Sequence, residues 1–379
     1  MKRIGILLLA VFLVVGAVPM AFAAETTTAK GAILMDGTTG TILTEYNARQ
    51  SLPPASVTKV MTMLLVMEAL DSGRIHWDDP VTASEAAAAK GGSQIYLKVG
   101  ETMTVTELLK SVAVASANDA ACALAEYIAG SEPAFVEKMN ARAKELGMEN
   151  THFVNCTGLD DDPEAKNHLT SAYDVAVMSR ELLMKHPDIQ KFTTIWMDTV
   201  RDGAFGLANT NKLVRFYSGC IGLKTGYTSG SGFSLSAAAQ RDGMTLIAVV
   251  LGCDSSADRF ATCRELLDRG FAGYALIDPK PEQMYVPVVL GKSSQVEAVI
   301  CGDSAMLIDK GQANTVRYET QLEESVTAPV STGQRLGTLT IYAGQQILKQ
   351  LPLVAAEPVQ RQSFWDIFQS VLKKVCFGS

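Results

Sequence analysis

Apolar and polar positions change period several times along the chain, and each change marks an element. Ala32-Ile33-Leu34-Met35 and Thr41-Ile42-Leu43 are two short runs around Asp36-Gly37-Thr38-Thr39-Gly40, which predicts a β-hairpin over residues 31–47. Pro53-Pro54 then halts extended structure. From Ser56 to Gly73 the pattern leaves hardly any polar face, with Val57, Val60, Met61, Leu64, Val66 and Met67 on all sides. A helix apolar all round must lie in a core, and Asp71-Ser72-Gly73 supplies its exit. Helical spacing returns over 106–114 and 119–129, the second piece closed by Gly130, with Ser116-Ala117-Asn118 in the break and Asp119 as the expected N-cap. Further helices are predicted over 132–146 and 171–184, separated by a loop around Pro163. Residues 232–239 and 244–252 read as strands joined by Gln240-Arg241-Asp242-Gly243, a hairpin carried by its Asp-Gly pair.

The two ends of the chain read differently. Met1-Lys2-Arg3, an uncharged apolar stretch from Ile4 to Val18 and then Ala21-Phe22-Ala23 are the basic, apolar and small-residue parts of a secretory signal, which predicts cleavage after Ala23 and an exported chain. The competing reading is an uncut anchor, since residues 4–23 approach the ~20 that a membrane span needs. Near Asp278-Pro279-Lys280-Pro281 the composition shifts to Val, Thr, Gly and Gln, so residues 24–280 are expected to form one domain and 281–357 a small β domain. After Pro358, the apolar residues Phe364, Trp365, Ile367, Phe368, Val371, Leu372 and Val375 recur at helical spacing with Lys373 and Lys374 near the end. Residues 358–379 therefore predict an amphipathic helix, lying either in a membrane interface or on the protein's own surface. The membrane is the expected partner, because the segment is terminal and rich in aromatic residues.

Composition narrows the function classes. A chain of 379 residues exceeds what one core usually holds, which agrees with two domains. With Lys2 and Arg3 taken from 33 bases against 40 acids, the net charge becomes -9, which gives no support for nucleic-acid binding. Seven cysteines without a paired C-x-x-C spacing argue against a zinc site or a disulfide framework. They are expected to be buried free thiols, with Cys253 and Cys263 as one pair that could still join. Histidines 76, 152, 168 and 186 are scattered, lack metal spacing and are given no catalytic role. Neither a metal nor a cofactor is expected.

The chemistry begins at Ser56-Val57-Thr58-Lys59. Residues three apart at a helix start project from one face, so the lysine amine reaches the serine hydroxyl. An alcohol is a poor nucleophile until a base takes its proton, and an amine does so only when uncharged. Burial and a second nearby cation both favour the uncharged form. Backbone N–H groups at the helix start also face the position where an oxyanion would develop. By itself the tetrad is a weak signal. Ser116-Ala117-Asn118 in a helix break and Lys224-Thr225-Gly226 beside a β-run strengthen it, because the three follow the order of a known active-serine pattern.

Through these residues, and through Pro54 to Thr62, Ser116 to Ala120, Asn155-Cys156-Thr157-Gly158-Leu159 and Lys224 to Thr228, the chain resembles the D-alanyl-D-alanine carboxypeptidases among the low-molecular-mass penicillin-binding proteins. The resemblance covers nearly the whole mature chain. It implies an α+β fold of the serine β-lactamase/DD-peptidase kind, with an antiparallel sheet between helical layers, then the small all-β domain and the C-terminal amphipathic helix. The implied reaction removes the terminal D-alanine from peptidoglycan pentapeptide stems, and β-lactam antibiotics acylate the same serine. Carried over, Ser56 is the nucleophile, Lys59 the proton acceptor and Ser116 the relay to the leaving amine. Asn118, Lys224, Thr225 and Tyr227 are substrate-binding residues: Asn118 orients the substrate amide, and Lys224 with Thr225 takes the terminal carboxylate region. Lys224 would also lower the pKa of Lys59, and the N–H groups of Ser56 and Tyr227 would form the oxyanion hole.

Two rivals differ at identifiable residues. A class A β-lactamase would need a glutamate to activate water, for which Glu164 is the candidate, although its spacing to Asn167 is one residue short. A non-catalytic cell-wall binding protein would keep the fold and lose the reaction, against which the three intact motifs argue. Hydrolysis and transpeptidation stay unseparated, since both pass through one acyl-enzyme.

Overall fold

The structure, a computed structural model, describes residues 27–161 and 163–377. The expected leader over 1–23 and the side chains of Lys373 and Lys374 lie outside the described residues. Contacts divide the chain into two units, one formed by residues up to Asp36, Ile42–Ala239 and Ile247–Leu266, the other by Gly37–Thr41, Gln240–Leu246 and the chain from Leu267.

The first unit is built on a five-stranded sheet in the order Ile42–Tyr46, Gly31–Asp36, Met244–Cys253, Gly232–Arg241, Cys220–Thr228. The first two strands form the expected antiparallel hairpin, with Ala32 opposite Tyr46. Cys220–Thr228 pairs antiparallel with Gly232–Arg241, placing Lys224 opposite Ser236. The helix predicted from Ser56 begins differently. Ala55–Thr58 is a 3-10 turn, and the α-helix runs Lys59–Asp71 with every residue from Lys59 to Met67 buried. In a 3-10 turn residues i and i+3 eclipse, so the Ser56–Lys59 spacing aligns the two side chains more closely than an α-helix would.

Around this central helix pack Val105–Ala115, Asn118–Ala129 and Ala172–Lys185. Ala172–Lys185 also meets the sheet through Ser179 Oγ and Ser236 Oγ at 2.8 Å. The shared core holds Met61, Leu64, Met67, Leu108, Val112, Leu124, Phe135 and Phe153. The helix break falls where expected, with Ser116 at the end of Val105–Ala115 in the left-handed region at φ 63.

Asp119 is not the N-cap; Ala117 is. The buried Asp119 carboxylate instead accepts the backbone N–H groups of Ile95, at 3.2 and 3.1 Å, and of Leu97, at 3.0 Å. It thus ties the 91–97 loop to the helix, with Arg201 holding the carbonyl of Ile95 from the other side at 2.8 Å.

The second unit carries a six-stranded sheet in the order Val316–Leu322, Arg335–Ala343, Gln346–Ala355, Gln295–Ile300, Met284–Val289, Val326–Thr327. Its own core contains Val286, Val296, Leu336, Leu339, Ile341, Leu351 and Leu353. The tail is the helix Phe364–Phe377. Ser363 and Asp366 cap it reciprocally: the Ser363 N–H donates to Asp366 at 2.8 Å and the Asp366 N–H to Ser363 Oγ at 3.2 Å. Phe364, Trp365, Phe368, Val371, Leu372 and Val375 are exposed along it. Among the described residues no helix is long and apolar enough to cross a membrane.

All seven cysteines are free. Cys122, Cys156, Cys253 and Cys263 are the buried thiols the sequence suggests, but Cys301 and Cys376 are exposed, so small apolar core filling does not describe them.

Candidate active site

Lys59 Nζ lies 3.0 Å from Ser56 Oγ. A second bond, 2.8 Å to the carbonyl oxygen of Thr157, also holds the amine. Burial alone pulls the Lys59 pKa down to about 7, against the opposing influence of Cys156 and Asp119. An ammonium loses its hydration in an apolar surround, and the uncharged form gains by comparison.

Lys224 is also fully buried. Burial lowers its pKa well below the ordinary lysine value, and the charges of Lys59 and Arg259 lower it further. Burial is thus the cause acting on Lys59, while repulsion between the two amines is felt at Lys224.

The strand bearing Lys224-Thr225-Gly226 is seated on the serine turn. A methyl group on Gly226 would lie 2.7 Å from the Pro54 carbonyl oxygen and 3.1 Å from the Val57 nitrogen, so only a residue without Cβ permits the approach. Gly158 closes the turn from another side at φ 81, where a side chain would collide with the Ala55 carbonyl.

Thr225 Oγ1 donates to Thr210 Oγ1 at 2.6 Å, and the Thr210 N–H donates to the Val114 carbonyl at 3.2 Å. These two bonds connect the Lys224 strand to the end of the helix that carries Ser116. Asn118 follows, with Nδ2 bonded to the Gly91 carbonyl at 2.7 Å and Oδ1 buried without a partner. An orphaned buried carbonyl oxygen is costly and is free to receive a ligand N–H. Tyr227 is half exposed and stacks on Phe233, with ring centroids 4.2 Å apart.

Three neighbours escape a reading of the sequence. Arg259 is buried with Nη1 donating to the carbonyls of Gly226 at 2.9 Å and Ser234 at 3.3 Å, which braces the back of the Lys224 strand, while its Nε has no partner. Glu132 pairs with Lys90 at 2.5 Å and accepts the Cys156 N–H at 3.2 Å. His168 is buried beside Thr58. Each acts across a long stretch of chain, so no local spacing announces it.

Glu164, the residue a β-lactamase reading requires, is exposed and bonded to Asn167 at 3.0 Å within the short 3-10 segment Pro163–Asn167. It belongs to the surface of that segment.

A serine whose hydroxyl meets a buried lysine amine, on a sheet and helix framework of this kind, defines the serine peptidases that take their base from lysine. Residues 18–255 match the D-alanyl-D-alanine carboxypeptidase family and residues 276–361 the penicillin-binding protein 5 C-terminal domain. The chain belongs to this family, the low-molecular-mass penicillin-binding proteins, and is a serine-type D-Ala-D-Ala carboxypeptidase with a C-terminal β domain.

Among its relatives, the D-alanyl-D-alanine carboxypeptidase DacF of Bacillus subtilis is 43% identical over 343 residues, covering 89% of this chain and 87% of that protein. The crystal structure of penicillin-binding protein 5 from Haemophilus influenzae is similar with a TM-score of 0.74 at 31% identity, over 91% of this chain and 100% of that one. Penicillin-binding protein D2 of Listeria monocytogenes in its ampicillin-bound form is similar with a TM-score of 0.59 at 32% identity, over 65% of this chain and 98% of that one.

Proposed function

We propose that Ser56 is the nucleophile of this carboxypeptidase and Lys59 the base that activates it. The 3.0 Å approach of the Lys59 amine, its pKa brought to about 7, to the Ser56 hydroxyl carries the reading. A neutral amine takes the Oγ proton as Oγ attacks the carbonyl of the penultimate D-alanine in a peptidoglycan pentapeptide stem. Ser116, at the end of its helix, passes a proton to the departing D-alanine nitrogen. Asn118 offers its unpartnered Oδ1 to a substrate N–H.

Lys224 and Thr225 receive the terminal carboxylate. Burial, and then the neighbouring Lys59 and Arg259, disfavour the charged form of Lys224, and an arriving carboxylate supplies a counter-charge that favours it. The N–H groups of Ser56 and Tyr227 stabilise the oxyanion. Water then releases the tetrapeptide. A β-lactam, whose carbonyl and carboxylate present a similar arrangement, acylates the same serine; the ampicillin-bound relative supports this.

The reading extends to placement. The protein is exported under its leader, residues 24–280 form the catalytic domain and 281–357 the β domain, and the helix at the C-terminus attaches the enzyme to the outer face of the cytoplasmic membrane. The exposed aromatic and aliphatic side chains of that helix support attachment.

Ser56→Ala tests the assignment. It should abolish both covalent labelling by penicillin and release of free D-alanine from a pentapeptide, and retained release would remove Ser56 as nucleophile.

A further inference from the structure

The imidazole of His168 sits where two segments of the active site meet. Its Nδ1 accepts backbone N–H bonds from Val154 at 3.1 Å and Asn155 at 3.4 Å. A ring nitrogen that accepts carries no proton, so the proton is assigned to Nε2, which then donates to Thr58 Oγ1 at 2.8 Å. The Thr58 hydroxyl in turn donates to the carbonyl oxygen of Ala55 at 2.8 Å. Ala55 directly precedes Ser56 and is held in the left-handed region at φ 47, which a residue with Cβ adopts only when its surroundings over-determine it. The Thr58 bond is one of those constraints.

The other side of the ring leads to the base. Asn155, whose N–H meets Nδ1, uses its own Oδ1 to accept the N–H groups of Thr157 at 3.1 Å and Gly158 at 2.7 Å. The Thr157 carbonyl is the one that holds Lys59 Nζ. One buried ring, lying edge-on to Phe153 at 5.7 Å, therefore touches both the turn that presents the hydroxyl and the segment that fixes the amine.

We infer that His168 is a positioning residue of this reaction, a neutral ring that ties the strained Ala55–Thr58 turn to the 154–157 segment and so keeps Ser56 and Lys59 in register. The inference rests on the assignment of Ser56 and Lys59 as nucleophile and base. It requires the ring to stay uncharged, because an imidazolium has no acceptor for Val154 and Asn155. Burial, and then the neighbouring His152 and Lys59, which repel a further positive charge, all favour the neutral form.

Asn and Gln each reproduce one end of the ring. His168→Asn retains an acceptor near Val154 and loses the donor to Thr58, His168→Gln does the reverse, and Thr58→Val removes the hydroxyl between ring and turn. The second-order rate of acylation by a fluorescent penicillin should fall about 100-fold in His168→Asn and in Thr58→Val, the size of effect a shift of about 1 Å produces. The double variant should be no slower than either single one, since both cut the same link. His168→Gln should recover part of the rate.

A folded His168→Asn variant acylating within about twofold of the parent would overturn the inference, as that leaves no displacement to explain. In the unaltered protein, 15N spectra of the histidines should show His168 as the neutral Nε2–H form at pH 6; a charged ring or the Nδ1–H form there would overturn it equally, whether or not the variants fold. Ser56→Ala separates the two levels. If labelling survives that substitution the underlying assignment fails, whereas loss of labelling there together with unchanged rates in His168→Asn removes only the role of His168.

Discussion

The α-carbon of Gly226 is pressed against the carbonyl of Pro54, so that a single methyl group would come within 2.7 Å of that oxygen. The strand carrying Lys224 and the turn carrying Ser56 are set against each other through this gap. Gly226→Ala should leave the fold intact, because strand and turn can separate by a small amount, yet lower the acylation rate about 100-fold through misplacement of about 1 Å. Circular dichroism with stopped-flow acylation checks this, and a folded variant with the parental rate contradicts it.

The proposed role of Lys59 as base sets a pH profile. In that role Lys59 must be uncharged to accept a proton, and burial brings its pKa to about 7. Acylation should therefore rise about tenfold per pH unit on the acid side and level off above neutrality. Lys59→Arg, whose guanidinium stays protonated, should lose on the order of 10²–10⁴ in rate, within the range usual for general-base removal. A rate flat between pH 5 and 9 would exclude lysine as the base.

Lys224→Ala removes the amine proposed to receive the terminal carboxylate. Affinity for carboxylate-bearing substrates should fall, whereas the acid limb should stay in place, because burial is what lowers the Lys59 pKa. Comparing the wild-type and variant limbs with a pentapeptide decides it; an unchanged KM would contradict the carboxylate role.

His168 also makes stability depend on pH. Its folded pKa of about 4 lies below the ordinary 6.5, so the unfolded chain binds the extra proton first. Its contribution is fully present above pH 6.5 and is lost as pH falls from 6.5 to 4, amounting to about 3 kcal/mol at most. Urea unfolding of the parent between pH 7 and 4 should show a steeper decline than that of His168→Gln, and parallel declines would refute the contribution.

Removing residues 364–379 should release active enzyme from membranes into the soluble fraction. Unchanged sedimentation with membranes would assign attachment to another part of the chain.

The local elements were readable because their causes are local. The Gly31–Asp36 and Ile42–Tyr46 hairpin, the buried Lys59–Asp71 helix and the tail helix each follow from period and breakers over a few residues. The spacing of Ser56 and Lys59 also anticipated their contact, although the 3-10 geometry that achieves it depends on Gly158 and Gly226 pressing on the turn from distant parts of the chain. Asp119 shows the opposite case: its position suggested a cap, and it was taken by the amides of Ile95 and Leu97, more than twenty residues away. His168, Arg259 and Glu132 were invisible for the same reason, since their partners come together only through tertiary structure.

Because Lys59 is fully buried, the dryness that disarms its charge is the same dryness that holds the domain together. Anything that lets water reach the amine, whether mild denaturant or warming, would return it to an ordinary, protonated lysine. Catalytic competence in this enzyme is therefore expected to fade while secondary structure is still intact, making its reactivity a more sensitive gauge of interior hydration than its melting curve.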